Sequence, residues 1–282
     1  MAVRSFKEGW VDVDGAADPG HYVRLMDVAR GGREDEPAQY AGIFGALAAR
    51  EGERVLDVGC GTGGAARALA ASLPGVGGVV GLDVSEVMIA AARARTPRPG
   101  APGAPVEFVV GDAHAMPFPD GSFDAAYSTR VFEIIGDPRR VLSEMERVLR
   151  PGGRLVVNGI DIDAWTIDSS DRDVTRRILH HACDFETNGW AGRQLPGWCK
   201  ELGMTDLGVT PVAIALTEFD TLYEVVLRAF VENAEAAGAV TAEEAARWVE
   251  DLRERDRLGR FFCTQTFFRV SAHKARTPNA ER

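Results

Sequence analysis

Val55-Leu56-Asp57-Val58-Gly59-Cys60-Gly61-Thr62-Gly63-Gly64 is the stretch on which the reading of this 282-residue chain turns. Three branched apolar side chains flank one carboxylate, which suits a short strand in the interior of a parallel sheet with Asp57 near its carboxyl end. A glycine-rich turn follows and leads directly into a helix that begins at Ala65-Ala66-Arg67-Ala68-Leu69. Without Cβ atoms the glycines admit left-handed backbone angles and let a ligand approach the main chain. Ligands of open α/β sheets bind just outside the carboxyl ends of the strands, so this turn marks the expected site.

Downstream, strands and helices alternate. Residues 78–83 form a second apolar run that ends in an acid, Asp83, and a helix near 85–95 follows, with Ser85 as its cap. The Pro/Gly-rich stretch 96–105 is a surface linker. It leads to a strand at 106–110 and then to Gly111-Asp112-Ala113-His114-Ala115-Met116-Pro117-Phe118. A fourth strand covers 123–129, and a helix over 137–149 carries Val141, Leu142, Met145 and Val148 at helical spacing. Leu149-Arg150-Pro151-Gly152-Gly153 closes that helix and launches a fifth strand at 154–158.

Gly59, Gly61 and Gly64 fit the dinucleotide pattern G-x-G-x-x-G, which on its own is a weak signal. Asp57 changes the odds, because a carboxylate there sits badly beside a pyrophosphate and well beside a cation. With Asp57 in place the decapeptide resembles motif I of the class I S-adenosylmethionine-dependent methyltransferases. The segments from Gly111 and from Leu149 resemble two further motifs of that family, in the same order, so the resemblance spans about 54–158. It implies an α/β fold, a doubly wound, mostly parallel seven-stranded Rossmann-like sheet whose last strand, near 261–270, is antiparallel and inserted between its neighbours. It also implies N-terminal lid helices and a helical cap. The expected organisation is a lid at 1–52, a cofactor-binding core at 53–159, a cap insertion at 160–192, the rest of the sheet with a helical substrate cap at 193–274, and a disordered tail at 275–282.

The same resemblance implies S-adenosyl-L-methionine as cofactor. Asp57, Gly59, Cys60 and Gly61 would contribute the motif I turn. Asp83, with Val84 beside it, stands at the end of the neighbouring strand about twenty residues on, where an acid can accept both ribose hydroxyls. Met88 would pack on the adenine ring, with core packing as the competing use, while Gly111, Asp112 and Ala113 would read the adenine edge. Ser128, at the end of the fourth strand, would lie beneath the methyl group. Tyr22 and Gln39 are candidate lid contacts, with ordinary packing or surface duty as the alternative. His114 reads as a solvated loop residue.

A sulfonium carries its own leaving group, so the protein's task is to align the reactants for in-line displacement, exclude water and accept a proton. Candidate bases are His180, His181 and Glu133, with Asp161 and Asp163 behind them. Relatives often carry a histidine at the position of Ile134. Two adjacent helical histidines point about 100° apart, so at most one faces a ligand. Tyr22, Trp165, Trp190 and Phe185 are candidates for an aromatic pocket.

A net charge of −10 repels phosphate backbones and anionic lipid, so the expected partner is a small molecule, a secondary metabolite or a quinone- or terpenoid-like acceptor, with no nucleic acid and no membrane. Four scattered cysteines form no C-x-x-C pair and no metal-ligand spacing, which predicts no metal site and reduced thiols. No signal-peptide pattern and no long apolar run is present, so a cytoplasmic location is expected, and homo-oligomerisation stays open. Two other classes remain: a methyltransferase-fold cyclase or binding protein without methyl transfer, and an NAD-dependent oxidoreductase.

Overall fold

The computed structural model describes residues 10–29, 37–73, 75–96, 103–185 and 188–276. Four short apolar runs, each too brief for a long helix, and one longer run become the parallel half of the sheet: β1 (Arg54–Val58), β2 (Gly78–Asp83), β3 (Val106–Val110), β4 (Phe123–Thr129) and the longer β5 (Leu149–Ile167). With β6 (Thr205–Leu216) and β7 (Cys263–His273) they form one seven-stranded sheet of order β3-β2-β1-β4-β5-β7-β6. β7 runs antiparallel to both β5 and β6. The strand order reverses between β1 and β4, which is where an open α/β sheet leaves a crevice at its carboxyl edge.

Helices cover both faces. α2 (Pro37–Leu47), α3 (Gly64–Ser72) and α4 (Glu86–Arg95) pack Phe44, Leu47, Leu69 and Ile89 against Val55, Val79 and Tyr127. α5 (Pro138–Val148) and α7 (Ala191–Glu201) place Val141, Met145, Leu195 and Trp198 against Leu56, Val58, Val80 and Leu82 on the other face. α1 (Pro19–Ala29) precedes them, with Asp18 accepting a hydrogen bond from the His21 amide at its start.

A separate apolar core lies beyond the sheet. It joins α6 (Arg172–Phe185), α9 (Ala242–Arg257) and a continuous helical stretch, α8, which runs from Phe219–Leu222 through a π-helical segment, Tyr223–Leu227, into Arg228–Ala236. Ile178, Phe230 and Trp248 meet there with Ile162 and Trp165 of β5. The Trp248 indole donates to the Thr175 hydroxyl at 2.8 Å, and a capping box of Thr241 and Glu244 closes the start of α9.

β5 is much longer than the expected 154–158. Ile160-Asp161-Ile162-Asp163 alternates with period two, and β7 offers it partners as far as Ile167↔Cys263, so the run that looked like a lead into the cap continues the sheet. β6 tolerates Pro211 because it is an edge strand. No helix among the described residues is long and apolar enough to cross a membrane. Residues 1–9, most of the linker between 96 and 105 and the tail beyond residue 276 lie outside the described residues.

Candidate active site

The glycine turn owes its shape to residues that no side chain could replace. Gly59, Gly61 and Gly63 have φ of 71°, 53° and 80°. A Cβ on Gly59 would stand 2.3 Å from Val131 Cγ2, and one on Gly63 2.4 Å from Phe108 Cζ. The Gly59 and Cys60 amides both donate to the Leu82 carbonyl, tying the turn to the end of β2. There Asp83 accepts from the Gly61 amide at 2.8 Å through one carboxylate oxygen and from the Ser85 amide at 3.0 Å through the other. Burial raises the Asp83 carboxyl above its ordinary value, and the two amide hydrogen bonds oppose that shift.

The next strand tip is organised around His114. Its Nδ1 lies 2.7 Å from Asp112 and its Nε2 2.5 Å from the Gly136 carbonyl, so the imidazole joins the turn after β3 to the loop after β4. The amide of His114, then its side chain, hold the Asp112 carboxyl below its usual value. Burial would lower the His114 pKa, but the Gly136 carbonyl and Asp112 outweigh it and raise it.

A cavity of about 430 Å³ opens along these strand tips. One end is lined by Gly59, Gly61, Asp83, Val84, Met88, Gly111, Asp112 and Ala113, the other by Ile160, Ile162, Trp165, Val226, Phe230 and Gln265. Arg130, Glu133 and Ile134, from the loop after β4, also line it. Arg130 holds a left-handed φ of 59°, a strained conformation for a residue with a side chain, and its guanidinium sits 5.3 Å over the Phe267 ring. Glu133 is buried, and the Asn188 amide donates to its carbonyl.

Several expected residues are elsewhere. Asp57 is 1 % exposed and does not line the cavity. Strand alternation puts it on the same face as Val55, paired with Tyr127, whose ring packs edge-on against Phe44 of α2. The Tyr127 hydroxyl is pushed well above its ordinary pKa by burial and then by Asp57. Cys60 is buried beside Gly81, away from the cavity. Ser128 is fully buried, and its hydroxyl donates to the Val58 carbonyl at 2.9 Å. Tyr22 packs against Trp10 at 5.1 Å, and it is Trp10 that lines the cavity. Gln39 lies in α2, and its side chain is outside the described residues.

Of the candidate bases, only Glu133 reaches the cavity wall. α6 turns Val174, Ile178 and Leu179 into the cap core, which leaves the His180 side chain 64 % exposed, 3.6 Å from Asp163. His181 stacks on Phe185 at 5.5 Å and does not line the cavity. Asp161 and Asp163 are held by Arg193, Asp161 at 2.6 Å through Nε. Trp165 is the one member of the expected aromatic pocket on the cavity wall, whereas Trp190 and Phe185 are exposed.

Sequence reasoning missed other parts. Asp14 accepts hydrogen bonds from Ser85 and from the Glu86 and Val87 amides, capping α4 from a distant polar lead. The Asn188 side chain donates to the Phe132 carbonyl at 2.9 Å and the Ile135 carbonyl at 2.7 Å, bracketing Glu133. Trp10, Val13 and Gln265 also line the site. Trp10 was the single feature of the lead that could have drawn attention, and nothing in the sequence distinguished Asn188 or Gln265. Among the described residues no three His, Cys, Asp or Glu side chains are grouped to hold a metal ion, and all four cysteines are buried and unbridged.

The model of the methyltransferase domain family matches residues 56–157. An uncharacterised 37.1 kDa protein in transposon TN4556 of Streptomyces fradiae is 38 % identical over 232 residues, 82 % of this chain and 65 % of that protein. The demethylmenaquinone methyltransferase of Thermus thermophilus is 45 % identical over 105 residues, 37 % of this chain and 46 % of that one. The chain therefore spans less than two thirds of the length of these curated relatives. The fold is shared with a solved phosphoethanolamine N-methyltransferase 2 of Haemonchus contortus, in complex with S-adenosyl-L-methionine, at TM-score 0.61 and 22 % identity over 98 % of this chain and 61 % of that one.

Proposed function

We propose that this chain, whose residues 56–157 match the methyltransferase domain family, transfers a methyl group from S-adenosylmethionine to a small molecule held in the same cavity. The observation that carries the reading is that one cavity joins the acids and glycines of three neighbouring strand tips to an apolar chamber, with Glu133 on its wall.

The residues present fit that cofactor. A carboxylate has about four lone-pair sites, and the Gly61 and Ser85 amides bond one oxygen of Asp83 each, which leaves the carboxylate capacity to accept from a ribose. Gly61 holds a left-handed φ of 53°, and a Cβ there would come 3.1 Å from Met26 Cε at the cavity wall, so glycine suits the turn and keeps it open to a ligand. Asp112 and the Ala113 amide would read the adenine edge, with Met88 against the ring. Bound there, S-adenosylmethionine supplies an electrophilic methyl on a sulfur that is itself a good leaving group, for in-line displacement. The chain's own contribution is to fix the geometry and keep water out, and alignment of this kind is worth effective molarities of about 10⁵ M or more. Where the acceptor begins protonated, Glu133 is the cavity carboxylate placed to take its proton.

A small organic acceptor is favoured over nucleic acid by the net charge of −10 and by the apolar half of the cavity. The cap formed by α6, α8 and α9 would cover it. The oxidoreductase alternative loses ground to the family match, while the cyclase or binding-protein alternative is separated by experiment. Incubation of the protein with methyl-labelled S-adenosylmethionine and a cell extract is expected to give a labelled small product. Cofactor binding without a labelled product would favour a non-transferring scaffold, and absence of cofactor binding would sink both.

A further inference from the structure

The cavity divides by chemistry. Its charged side chains, Asp83, Asp112, His114, Arg130 and Glu133, all stand at strand tips or in the loops that follow them. The chamber beyond is walled by Ile162, Trp165, Val225, Val226 and Phe230, and Gln265 is its polar exception.

Two interruptions of regular structure build this chamber. In the β5–β7 ladder Asp161 pairs with Thr266 and Thr166 with Thr264, so residues 162–165 stand opposite Gln265 alone. In an unbroken strand Ile162 and Trp165, an odd number of positions apart, would face opposite sides of the sheet. The bulge brings both to the cavity beside Gln265. The π-helical segment Tyr223–Leu227 does the equivalent for the adjacent Val225 and Val226, and such segments recur at functional sites.

Gln265 is 6 % exposed, and among the described residues nothing hydrogen-bonds its side-chain amide. Trp165 lines the same wall with its ring, tilted against Phe230 at 5.7 Å, while its indole N–H is enclosed in the protein. A largely buried polar group is costly to leave unpaired, so the Gln265 amide on an otherwise apolar wall is a ready partner for a polar atom of a ligand. A charged ligand group would lose its hydration there and meet no countercharge. A purely apolar one would leave Gln265 unpaired, and sites built to bond an oxygen reject analogues that lack it.

We infer that this chamber takes an uncharged, largely apolar acceptor carrying a hydrogen-bonding oxygen, and that Gln265 selects it by bonding that oxygen. The inference rests on the cavity being a methyl-transfer site. Ligand-observed NMR with the full chain and saturating S-adenosylhomocysteine tests it, using 2-naphthol against 2-methylnaphthalene, 4-phenylphenol against 4-methylbiphenyl, and 2-naphthoate. The hydroxyl compounds are expected to bind more tightly than their methyl counterparts, and 2-naphthoate more weakly than 2-naphthol. Gln265→Leu should cut the hydroxyl preference by about three- to tenfold, the worth of one neutral hydrogen bond, with S-adenosylhomocysteine affinity unchanged. An unchanged preference in Gln265→Leu, tighter binding of the naphthoate, or no neutral compound binding while S-adenosylhomocysteine does, overturns the inference. Failure of S-adenosylhomocysteine to bind the wild-type chain overturns the underlying reading instead.

Discussion

Replacing Gly59 by alanine should strain the turn in two separable ways. At φ 71° an alanine sits in the left-handed region, which costs roughly 1–2 kcal/mol for a residue with a Cβ. That Cβ would also stand 2.3 Å from Val131 Cγ2 and 3.2 Å from Cγ1, an overpacking of the kind that costs about 1–3 kcal/mol. The expected loss for Gly59→Ala is therefore about 2–5 kcal/mol, a large share of the roughly 5–15 kcal/mol typical of a domain. Val131→Ala removes the two methyls that collide. In that background only the backbone strain remains, so the double-mutant cycle should show about 1–3 kcal/mol of favourable coupling. Urea unfolding followed by circular dichroism, with the slope m held constant across the four proteins, measures it. Additivity within about 0.5 kcal/mol would refute the contact between the glycine turn and the loop after β4.

Three further outcomes are expected. His114 has a raised pKa, so the clasp it makes with Gly136 and Asp112 is fully present below about pH 6.5 and is lost as pH rises through the higher folded value. Proton NMR should show His114 titrating above 6.5, and lower in Asp112→Asn, and titration at or below 6.5 in the wild type would contradict the clasp. Asn188→Ala removes two hydrogen bonds to the Phe132 and Ile135 carbonyls. It should speed amide exchange at Ile134 and Ile135 and lower kcat with little change in the KM for cofactor, whereas an effect on stability alone would leave Asn188 without a positioning role. Burial pushes Cys183 up to about 11 and Cys199 and Cys263 up to about 12, so native thiols should resist labelling by dithiobis(nitrobenzoate) at pH 8 until the chain unfolds. Rapid native labelling would show these sites to be open.

The legible part of the structure was the part encoded locally. β1 to β4 are short apolar runs with a glycine or an acid at their ends, and Asp83, Gly111 and Asp112 could be placed at the crevice by counting from the turns. Asp57 shows where counting fails: it marks distance from the turn but not which side of the sheet its side chain takes, and alternation with Val55 puts it with Tyr127. His180 and His181 were misread because the inward face of α6 is set by α8 and α9, which arrive well over thirty residues later. The length of β5 was hidden for the same reason, since its partner β7 lies about a hundred residues on. Asn188 is a further instance, since its contacts are 53 and 56 residues away. Gln265 read simply as one residue of a final strand, and its meaning comes from the bulge opposite.

Calorimetric titration of S-adenosylmethionine and of NAD(H) into the wild-type chain and into Asp83→Ala decides whether the strand-tip acids hold a sulfonium nucleoside. The wild type should bind S-adenosylmethionine and not NAD(H). Loss of the two charge-assisted acceptors on Asp83 should weaken that binding by about tenfold or more. An unchanged affinity in Asp83→Ala, or tighter binding of NAD(H) than of S-adenosylmethionine by the wild type, would contradict it.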